Sequence, residues 1–360
     1  MSLRKTLSYL FLPISIWYAV GIGLRNLFYA LGLKRQHAPH VTTIGVGNLC
    51  TGGSGKTPHV QYLLALLGDT YRTAMLSRGY KRHSKGFVLD NGDHDTDRLG
   101  DEAAMIASRF PNVQTAVCED RLEGIEKLLQ QPDDRRPELV VLDDVFQHRR
   151  IKPSINILLT EYRHPYFKDH ILPFGNLREF KSARCRASAV IVTKSPAVLN
   201  PIEKHNIVHD LKLQNYQKIF FSYLKYGPLT TLDGDASELD LRKLDNVLLV
   251  TGIAHPAPLL EEVRRCCNAH ILAFPDHHEY SRRDIARIKD TIEDLPGARK
   301  VVITTEKDAA KMQPLAESLP CYVMPIEVAF HKDNDVDFDR YIASSVHENI
   351  SFLGKLKIWN

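Results

Sequence analysis

The chain has 360 residues, of which 44% are hydrophobic and 25% are charged, a balance typical of a globular protein with more than one core. The formal net charge is only +4, so the overall charge gives no indication of nucleic acid as a partner. The six cysteines form no Cys-x-x-Cys pair and have no ligand-like spacing with histidine, which argues against a zinc site and is typical of reduced thiols in a cytosolic protein.

The N-terminal segment departs from soluble composition. Residues 7–24 read LSYLFLPISIWYAVGIGL, an uncharged run with basic residues on both sides. A cleaved signal peptide, a spanning helix, a helix in the membrane interface and a buried helix are the four interpretations of such a run. Pro13 weakens the case for a span, whereas Trp17 and Tyr18 suit the headgroup zone. We therefore expect residues 1–36 to form a membrane-associated helix.

Short apolar strands then alternate with helical patterns. The run VTTIGVGN (41–48) is rich in β-branched residues, and a glycine-rich turn and the helical pattern PHVQYLLALLG follow it. Further strand candidates are 73–76, 139–142, 155–159 and 189–193. This alternation predicts a parallel sheet with helices on both faces. A second strand-rich stretch begins at residue 246, after a polar segment.

The strongest motif is the glycine-rich turn itself, CTGGSGKT (50–57). Glycines allow successive backbone N–H groups to converge on phosphate oxygens, and the helix that follows adds its dipole. Lys56 would neutralise the β- and γ-phosphates of a nucleotide, and Thr57 would offer a hydroxyl to Mg²⁺. Cys50 stands where the first glycine of such a loop is usual, but the strand-before, helix-after context favours a phosphate-binding loop over a chance turn. The predicted nucleotide-binding residues are Thr51, Gly52, Gly53, Ser54, Gly55, Lys56 and Thr57.

Together these patterns predict an α/β fold. Its core is a P-loop NTPase-like parallel sheet with helices on both faces, accompanied by a smaller second α/β domain and an N-terminal membrane-interface helix. The expected segments are the membrane-associated helix (1–36), the P-loop core (37–217), a two-stranded linker region (218–245), the smaller α/β domain (246–330) and a C-terminal tail (331–360).

A metal-binding element is expected after another strand. The run ELVVLDDVFQHRR contains an apolar strand that ends in Asp143 and Asp144, a position suited to holding Mg²⁺ directly or through water. Paired aspartates after a strand are also common turn formers. Combined with the phosphate loop, however, they favour a magnesium site formed by Thr57, Asp143 and Asp144.

Two further groups of side chains are candidates for acid–base chemistry. Asp101 and Glu102 stand at the start of a helical pattern, where they could cap the helix or accept a proton from a substrate hydroxyl. Asp276, His277 and His278 lie in an expected loop after a strand, where they could form a metal site, supply a base or simply be polar loop residues. The residue pattern alone leaves these alternatives open.

Basic residues in loops after strands could grip an anionic substrate, because such loops face the ligand crevice of an α/β sheet. The candidates are Arg78, Lys81, Arg82, Arg121, Arg149, Arg150 and Arg178.

The motifs taken in order resemble one enzyme family. GNLCTGGSGKTP, LSRGYKR, GDEAAMIA, CEDR, LDDVFQHRR, LPFGNLRE, VTK, TGIAHP, FPDHHEY and TTEKDAAK, from about Ile44 to Lys311, are similar to those of the tetraacyldisaccharide 4′-kinases of the lipid A pathway. The resemblance implies transfer of the γ-phosphate of ATP, with Mg²⁺, to the 4′-hydroxyl of an acylated glucosamine disaccharide 1-phosphate. It also implies peripheral attachment to the cytoplasmic face of the bacterial inner membrane, and no nucleic-acid partner.

The resemblance also implies roles for individual residues. It makes Asp101 the expected base and pairs His277 with it, and it supports Lys56 and Thr57 at the phosphates and metal, with Asp143 and Asp144 near Mg²⁺. Supporting or substrate roles around the site are implied for Glu102, Arg121, His148 and Glu179.

Two alternatives compete with this interpretation. A P-loop GTPase or metallochaperone-type NTPase would need an Asn/Thr-Lys-x-Asp segment to contact guanine, but Pro196 stands where that carboxylate is required. A membrane-associated scaffold that binds nucleotide without turnover would have no use for Asp101 or His277.

Overall fold

A computed structural model describes residues 11–253, 256–275, 278–312, 315, 319–332 and 337–358. Contacts divide the described residues into two compact units. The first contains the residues up to Leu224 and those from Val328 onward, and the second is Lys225–Glu327.

The strands are, in chain order, β1 (Thr42–Asn48), β2 (Thr73–Ser77), β3 (Val88–Leu89), β4 (Gln114–Val117), β5 (Leu139–Asp143), β6 (Ile155–Glu161), β7 (Ala189–Thr193), β8 (Lys218–Tyr226), β9 (Thr230–Thr231), β10 (Asn246–Thr251), β11 (Ala269–Ala273), β12 (Lys300–Thr304), β13 (Cys321–Val323) and β14 (Ile326–Phe330). The helices are α1 (Leu12–Ala30), α2 (Lys56–Leu67), α3 (Thr96–Leu99), α4 (Asp101–Arg109), α5 (Arg121–Leu129), α6 (Pro201–Leu211), α7 (Ala257–Arg264), α8 (Arg282–Glu293), α9 (Glu306–Met312) and α10 (Phe338–Ile358). Short 3₁₀ turns lie at Tyr166–Lys168, Lys181–Arg186 and Leu241–Lys243.

The strands of the first unit form one sheet in the order β14-β8-β7-β6-β1-β5-β2-β4-β3. Strands β8 through β4 in this order pair in parallel, and β3 pairs antiparallel with β4. Apolar clusters from α2, α4 and α10 cover one face, and those from α5 and α6 cover the other. Burial on both faces explains why these strands are continuously apolar in sequence. The predicted parallel α/β core is therefore confirmed.

The position of β1 within this sheet determines where the site lies. Strand β1 pairs with β5 on one side and with β6 on the other, and Val46 is in register with Asp143. The chain leaves β1 and β5 at the same edge of the sheet. In open α/β sheets the ligand crevice lies at this edge, outside the carboxyl ends of the strands.

The second unit contains a smaller sheet in the order β11-β10-β12-β13-β9. Strand β10, an interior strand of this sheet, is buried along its whole length. Asp308 of α9 is buried at the end of β10, where one carboxylate oxygen accepts hydrogen bonds from the Thr251 hydroxyl (3.0 Å) and the Gly252 amide (3.1 Å). This carboxylate fixes the backbone as it leaves the strand.

One side of helix α1 packs against the rest of the first unit. The Phe174 amide donates to the buried Ser15 hydroxyl (2.8 Å), and the Arg149 guanidinium donates to the Asn26 side chain (2.8 Å). The other side of the helix is apolar and exposed, with Trp17 76% exposed. No helix in the part of the chain that the structure describes is both long enough and apolar enough to cross a membrane.

Candidate active site

The glycine-rich segment forms the connection between β1 and α2, as predicted. Gly55 occupies the position before the first residue of α2 with φ of +84°, a left-handed conformation that favours glycine. Earlier in the loop, the Thr51 amide donates to the Asn176 carbonyl oxygen (2.8 Å). The first amides of α2 lack helical acceptors and therefore form, with the loop, a site suited to phosphate.

Lys56 and Thr57, at the start of α2, each lie near a carboxylate from another element. The Lys56 ammonium is 3.8 Å from one carboxylate oxygen of Asp144. The other carboxylate oxygen of Asp144 is 3.2 Å from the Arg178 guanidinium. The Thr57 hydroxyl lies 3.3 Å from Glu102 in α4. The predicted phosphate lysine, metal-side threonine and acidic residues thus converge at one edge of the sheet.

Asp143 and Asp144 have different environments although they are adjacent. Asp143 is buried, and burial raises the pKa of its carboxyl group to about 7, with further increases from the negative charges of Glu102 and Asp144. Its Oδ1 atom is buried and has no hydrogen-bond partner among the described residues. Asp144 is about one-third exposed. A buried, unpartnered carboxylate oxygen beside other carboxylates is suited to a cation.

Asp101 is the first residue of α4 and is half-buried, one residue before Glu102. Gly100 precedes it with φ of +83°, and a Cβ atom there would lie 2.5 Å from the Tyr80 carbonyl oxygen. This close approach sets the start of α4 against the loop that follows β2. The Thr57–Glu102 contact brings the same end of α4 to the phosphate loop. His277, the expected partner of Asp101, lies outside the described residues.

Arg121 and His148 lie on the β5 side of the site. Arg121 is buried and donates to the backbone carbonyl of Asp143 (3.1 Å) and to that of Cys118 (3.2 Å). The His148 ring is 3.7 Å from a carboxylate oxygen of Asp120. Burial lowers the pKa of His148, and the nearby positive charge of Arg121 lowers it further. The low pKa favours a neutral imidazole beside a permanently charged guanidinium.

Glu179 is fully buried and forms ion pairs with two arginines. Arg25 of α1 contacts one carboxylate oxygen, and Arg186 lies 2.7 Å from the other. Glu179 thereby joins helix α1 to the segment that contains Arg178. The sequence alone does not predict the ion pair of Arg186 with Glu179, because no local pattern indicates it.

A cavity of about 790 Å³ opens beside these residues within the first unit. Its walls combine residues of α1 with cationic and polar side chains of the loops. They are Trp17, Tyr18, Gly21, Ile22, Arg25, Arg78, Glu119, Arg121, Asp144, Gln147, His148 and Arg178. Three of the arginines expected from the sequence to grip an anion, Arg78, Arg121 and Arg178, line this cavity. Gln147 was missed. An apolar wall facing several cations is suited to an amphipathic anion.

Comparison with known proteins identifies the family. A family model described as tetraacyldisaccharide-1-P 4′-kinase (LpxK) matches residues 7–346. A tetraacyldisaccharide 4′-kinase from Bacteroides thetaiotaomicron is 42% identical over 353 residues, with 94% of this chain and 93% of that protein covered. The protein of the same name from Flavobacterium psychrophilum is 37% identical, with 96% and 98% covered.

A solved structure agrees with these matches. The crystal structure of LpxK from Aquifex aeolicus, described as an "apo" form in complex with ATP, superposes with a TM-score of 0.74 at 28% identity, covering 96% of this chain and 99% of that chain. The predicted fold class, family resemblance and kinase class are confirmed by these comparisons, and the GTPase-type alternative is not favoured. The chain belongs to the tetraacyldisaccharide-1-P 4′-kinase family.

Proposed function

We propose that the chain transfers the γ-phosphate of ATP to the 4′-hydroxyl of a tetraacylated glucosamine disaccharide 1-phosphate, which yields lipid IVA. The names of its relatives and the ATP complex of the Aquifex aeolicus protein support both substrates. The observation that carries the proposal is the convergence of Lys56, Thr57, Glu102 and Asp144 beside a cavity with an apolar wall and several arginines. Phosphoryl transfer depends mainly on such positioning and charge.

The nucleotide and metal roles follow from the phosphate loop and the two aspartates. Residues 51–57 would surround the phosphates, and Lys56 would neutralise their charge. Thr57, Asp143 and Asp144 would hold Mg²⁺, which when bound supplies positive charge to the β- and γ-phosphates. The unpartnered Oδ1 atom of Asp143 supports this role. In the described residues, His, Cys, Asp and Glu side chains gather in no group of three or more that could hold a metal. Magnesium sites commonly use one or two carboxylates together with substrate phosphates and water.

Asp101 is proposed as the group that accepts the proton of the 4′-hydroxyl while the hydroxyl oxygen attacks the γ-phosphorus and ADP departs. The location of Asp101 at the end of α4 that meets the phosphate loop supports this role. His277 is proposed as the partner of Asp101 on the family resemblance alone.

The remaining site residues would either attract the anionic acceptor or hold other side chains of the site in position. Arg121, with His148 beside it, would direct positive charge into the cavity toward the anionic substrate. Glu102 would orient Thr57 through their contact. Glu179 would hold Arg25 and Arg186 in position rather than touch the substrate, since both of its carboxylate oxygens already pair with arginine.

The membrane role rests on helix α1. Its exposed residues include Ile14 (55%), Ile16 (57%) and Trp17 (76%), while the same helix lines the cavity. An apolar helix face of this kind is suited to the headgroup and acyl boundary, where the acyl chains of the acceptor are anchored. We propose peripheral attachment at the cytoplasmic face of the bacterial inner membrane, because ATP is cytosolic.

The test is a transfer assay with purified protein, labelled ATP, Mg²⁺ and the acylated disaccharide 1-phosphate. The expected product is the disaccharide with one added phosphate, identified by mass analysis. Release of free phosphate without phosphorylated lipid would indicate an NTPase instead. A scaffold that only binds nucleotide would consume no ATP, and its Asp101→Ala variant would behave like the parent.

A further inference from the structure

Two residues at the end of β7 bind the phosphate loop through its carbonyl oxygens. The Thr193 hydroxyl donates to the Ser54 carbonyl oxygen at 2.9 Å, and the Thr160 carbonyl oxygen is a more distant acceptor at 3.3 Å. The Lys194 ammonium donates to the Gly53 carbonyl oxygen. Thr193 is buried, and Lys194 is held by an ion pair with Glu161 at 2.7 Å. Both donors are thus fixed independently of the loop.

A third donor comes from α2. The His59 ring is buried, with Nδ1 2.6 Å from the Gly55 carbonyl oxygen and Nε2 2.9 Å from the Ser222 hydroxyl. A carbonyl oxygen can only accept, so Nδ1 carries the proton and donates it, and Nε2 accepts from Ser222 in β8. This chain of hydrogen bonds leads from the sheet to the last carbonyl of the loop.

The three contacts, with the backbone hydrogen bond from the His59 amide to the Gly55 carbonyl oxygen (3.3 Å), constrain the direction of the loop amides. In a trans peptide unit the C=O group and the next N–H group point in opposite directions. Fixing the carbonyl groups of residues 53–55 toward these donors therefore directs the N–H groups of residues 54–56 away from the donors. The Ser54 amide donates within the loop to Gly52 (3.1 Å), so the amides directed outward are those of Gly55 and Lys56.

The contacts also come from one half of the sheet. Thr193 ends β7 and Ser222 lies in β8, both on the β6 side of β1. Asp143 is the last residue of β5 and Asp144 follows it, on the opposite side of β1. The loop is therefore anchored from the β7–β8 half, while Lys56 contacts Asp144 on the β5 side.

We propose that His59, Thr193 and Lys194 are positioning residues that hold the phosphate loop in its nucleotide-binding conformation through three successive carbonyl groups, without contacting the phosphates themselves. The inference rests on the proposed function only in that the loop binds ATP. The proposed role of Thr193, Lys194 and His59 is separate from metal binding and from proton transfer. Their loss should weaken ATP binding and leave the acceptor unaffected.

Equilibrium ATP binding to isosteric variants of the full chain tests this role. Thr193→Val removes one hydroxyl with little change in shape, and we expect the Kd for ATP to rise about fivefold, the effect of one net hydrogen bond. Thr42→Val is the matched control, because the Thr42 hydroxyl in β1 is buried without a hydrogen-bond partner among the described residues. It should leave the Kd unchanged. His59→Leu should raise the Kd as Thr193→Val does, and His59→Asn, which keeps a donor near the Nδ1 position, should recover part of the loss.

Additional measurements separate positioning from general stability. The KM for the disaccharide acceptor and the urea unfolding midpoint are measured for the same variants. Thr193→Val and His59→Leu proteins that lose stability but bind ATP as tightly as the parent would overturn the proposal. A rise in the acceptor KM as large as the rise in the Kd for ATP would overturn it as well. A parent protein that binds no ATP would instead overturn the proposed function, and this inference with it.

Discussion

The Thr57 hydroxyl lies 3.3 Å from the Glu102 carboxylate, which joins the helix after the phosphate loop to the helix that begins with Asp101. This contact joins the nucleotide side of the site to its acid–base side within the first unit. The two helices pack on the same face of the sheet, so their first turns meet at the edge where ligands bind.

The first prediction concerns Asp101. Asp101→Asn keeps the size of the side chain but removes its capacity to accept a proton, so we expect kcat to fall about a hundredfold or more with little change in the KM for ATP. The control is Asp97→Asn, an exposed carboxylate in the first turn of the preceding helix. Steady-state kinetics of both variants check this. Unchanged turnover in the Asp101 variant would remove that residue from the chemistry.

The second prediction concerns the attachment of helix α1. Arg25→Met leaves the fully buried Glu179 with Arg186 as its one remaining ion-pair partner among the described residues, so we expect the free energy of unfolding to fall by about 2 kcal/mol. Arg98→Met breaks a pair with Asp93 in which both side chains are about two-fifths exposed, and it should cost less than about 1 kcal/mol. Urea titration measures both. Equal effects would mean that the buried pair does not hold the helix.

The third prediction is a pH dependence of stability that originates at His59. Burial lowers the pKa of His59 from 6.5 to about 4, against a smaller opposing effect of the Gly55 carbonyl. Between these pH values the unfolded chain binds a proton that the folded chain does not. The contribution of His59 to the free energy of unfolding therefore decreases as pH falls through this window, by up to about 1.4 kcal/mol per pH unit.

His59→Asn lacks this titration, whereas all other groups, including Asp143, titrate in both proteins. The stability of the parent relative to the variant should thus fall on acidification from pH 6.5 toward 4, measured by urea unfolding without nucleotide or metal. Parallel stability curves for the two proteins would contradict the assignment of a buried neutral ring.

The fourth prediction concerns the exposed apolar face of α1. Serine replacement of Ile16 and of Val20, which are 57% and 46% exposed, removes side chains expected to enter the membrane interface. We expect binding to vesicles that contain anionic lipid to weaken roughly tenfold for each replacement. Val198→Ser is the control, since Val198 is 87% exposed on a loop after β7. If all three variants sediment with vesicles alike, α1 is not the attachment surface.

The parts of the site that the sequence predicted are those with local patterns. The strand before the phosphate loop, the helix after it and the carboxylates at the end of β5 each occupy a short stretch in which periodicity and turn chemistry are readable. Sequence reasoning could not distinguish Asp143 from Asp144, because burial and a raised pKa at only one of them depend on the neighbours that the fold supplies.

The parts that were missed depend on contacts between distant residues. Arg25 and Glu179 are 154 positions apart, and the Thr193 hydroxyl reaches the Ser54 carbonyl across 139 positions. An arginine in a loop or a threonine at the end of a strand has the same local pattern whether or not such a partner exists. The pairing of β14 with β8 is likewise independent of any turn pattern, because the second unit separates them in the chain.

The central claim is that a nucleotide held by Lys56 donates phosphate to a lipid-linked sugar alcohol. The most direct measurement is transfer of the labelled γ-phosphate to the acylated disaccharide 1-phosphate, compared with the same acceptor lacking its 4′-hydroxyl. We predict a singly phosphorylated product with the intact acceptor, none with the 4′-deoxy acceptor, and loss of the product in Lys56→Met. Phosphorylation of the deoxy acceptor, or undiminished transfer by Lys56→Met, would contradict the account.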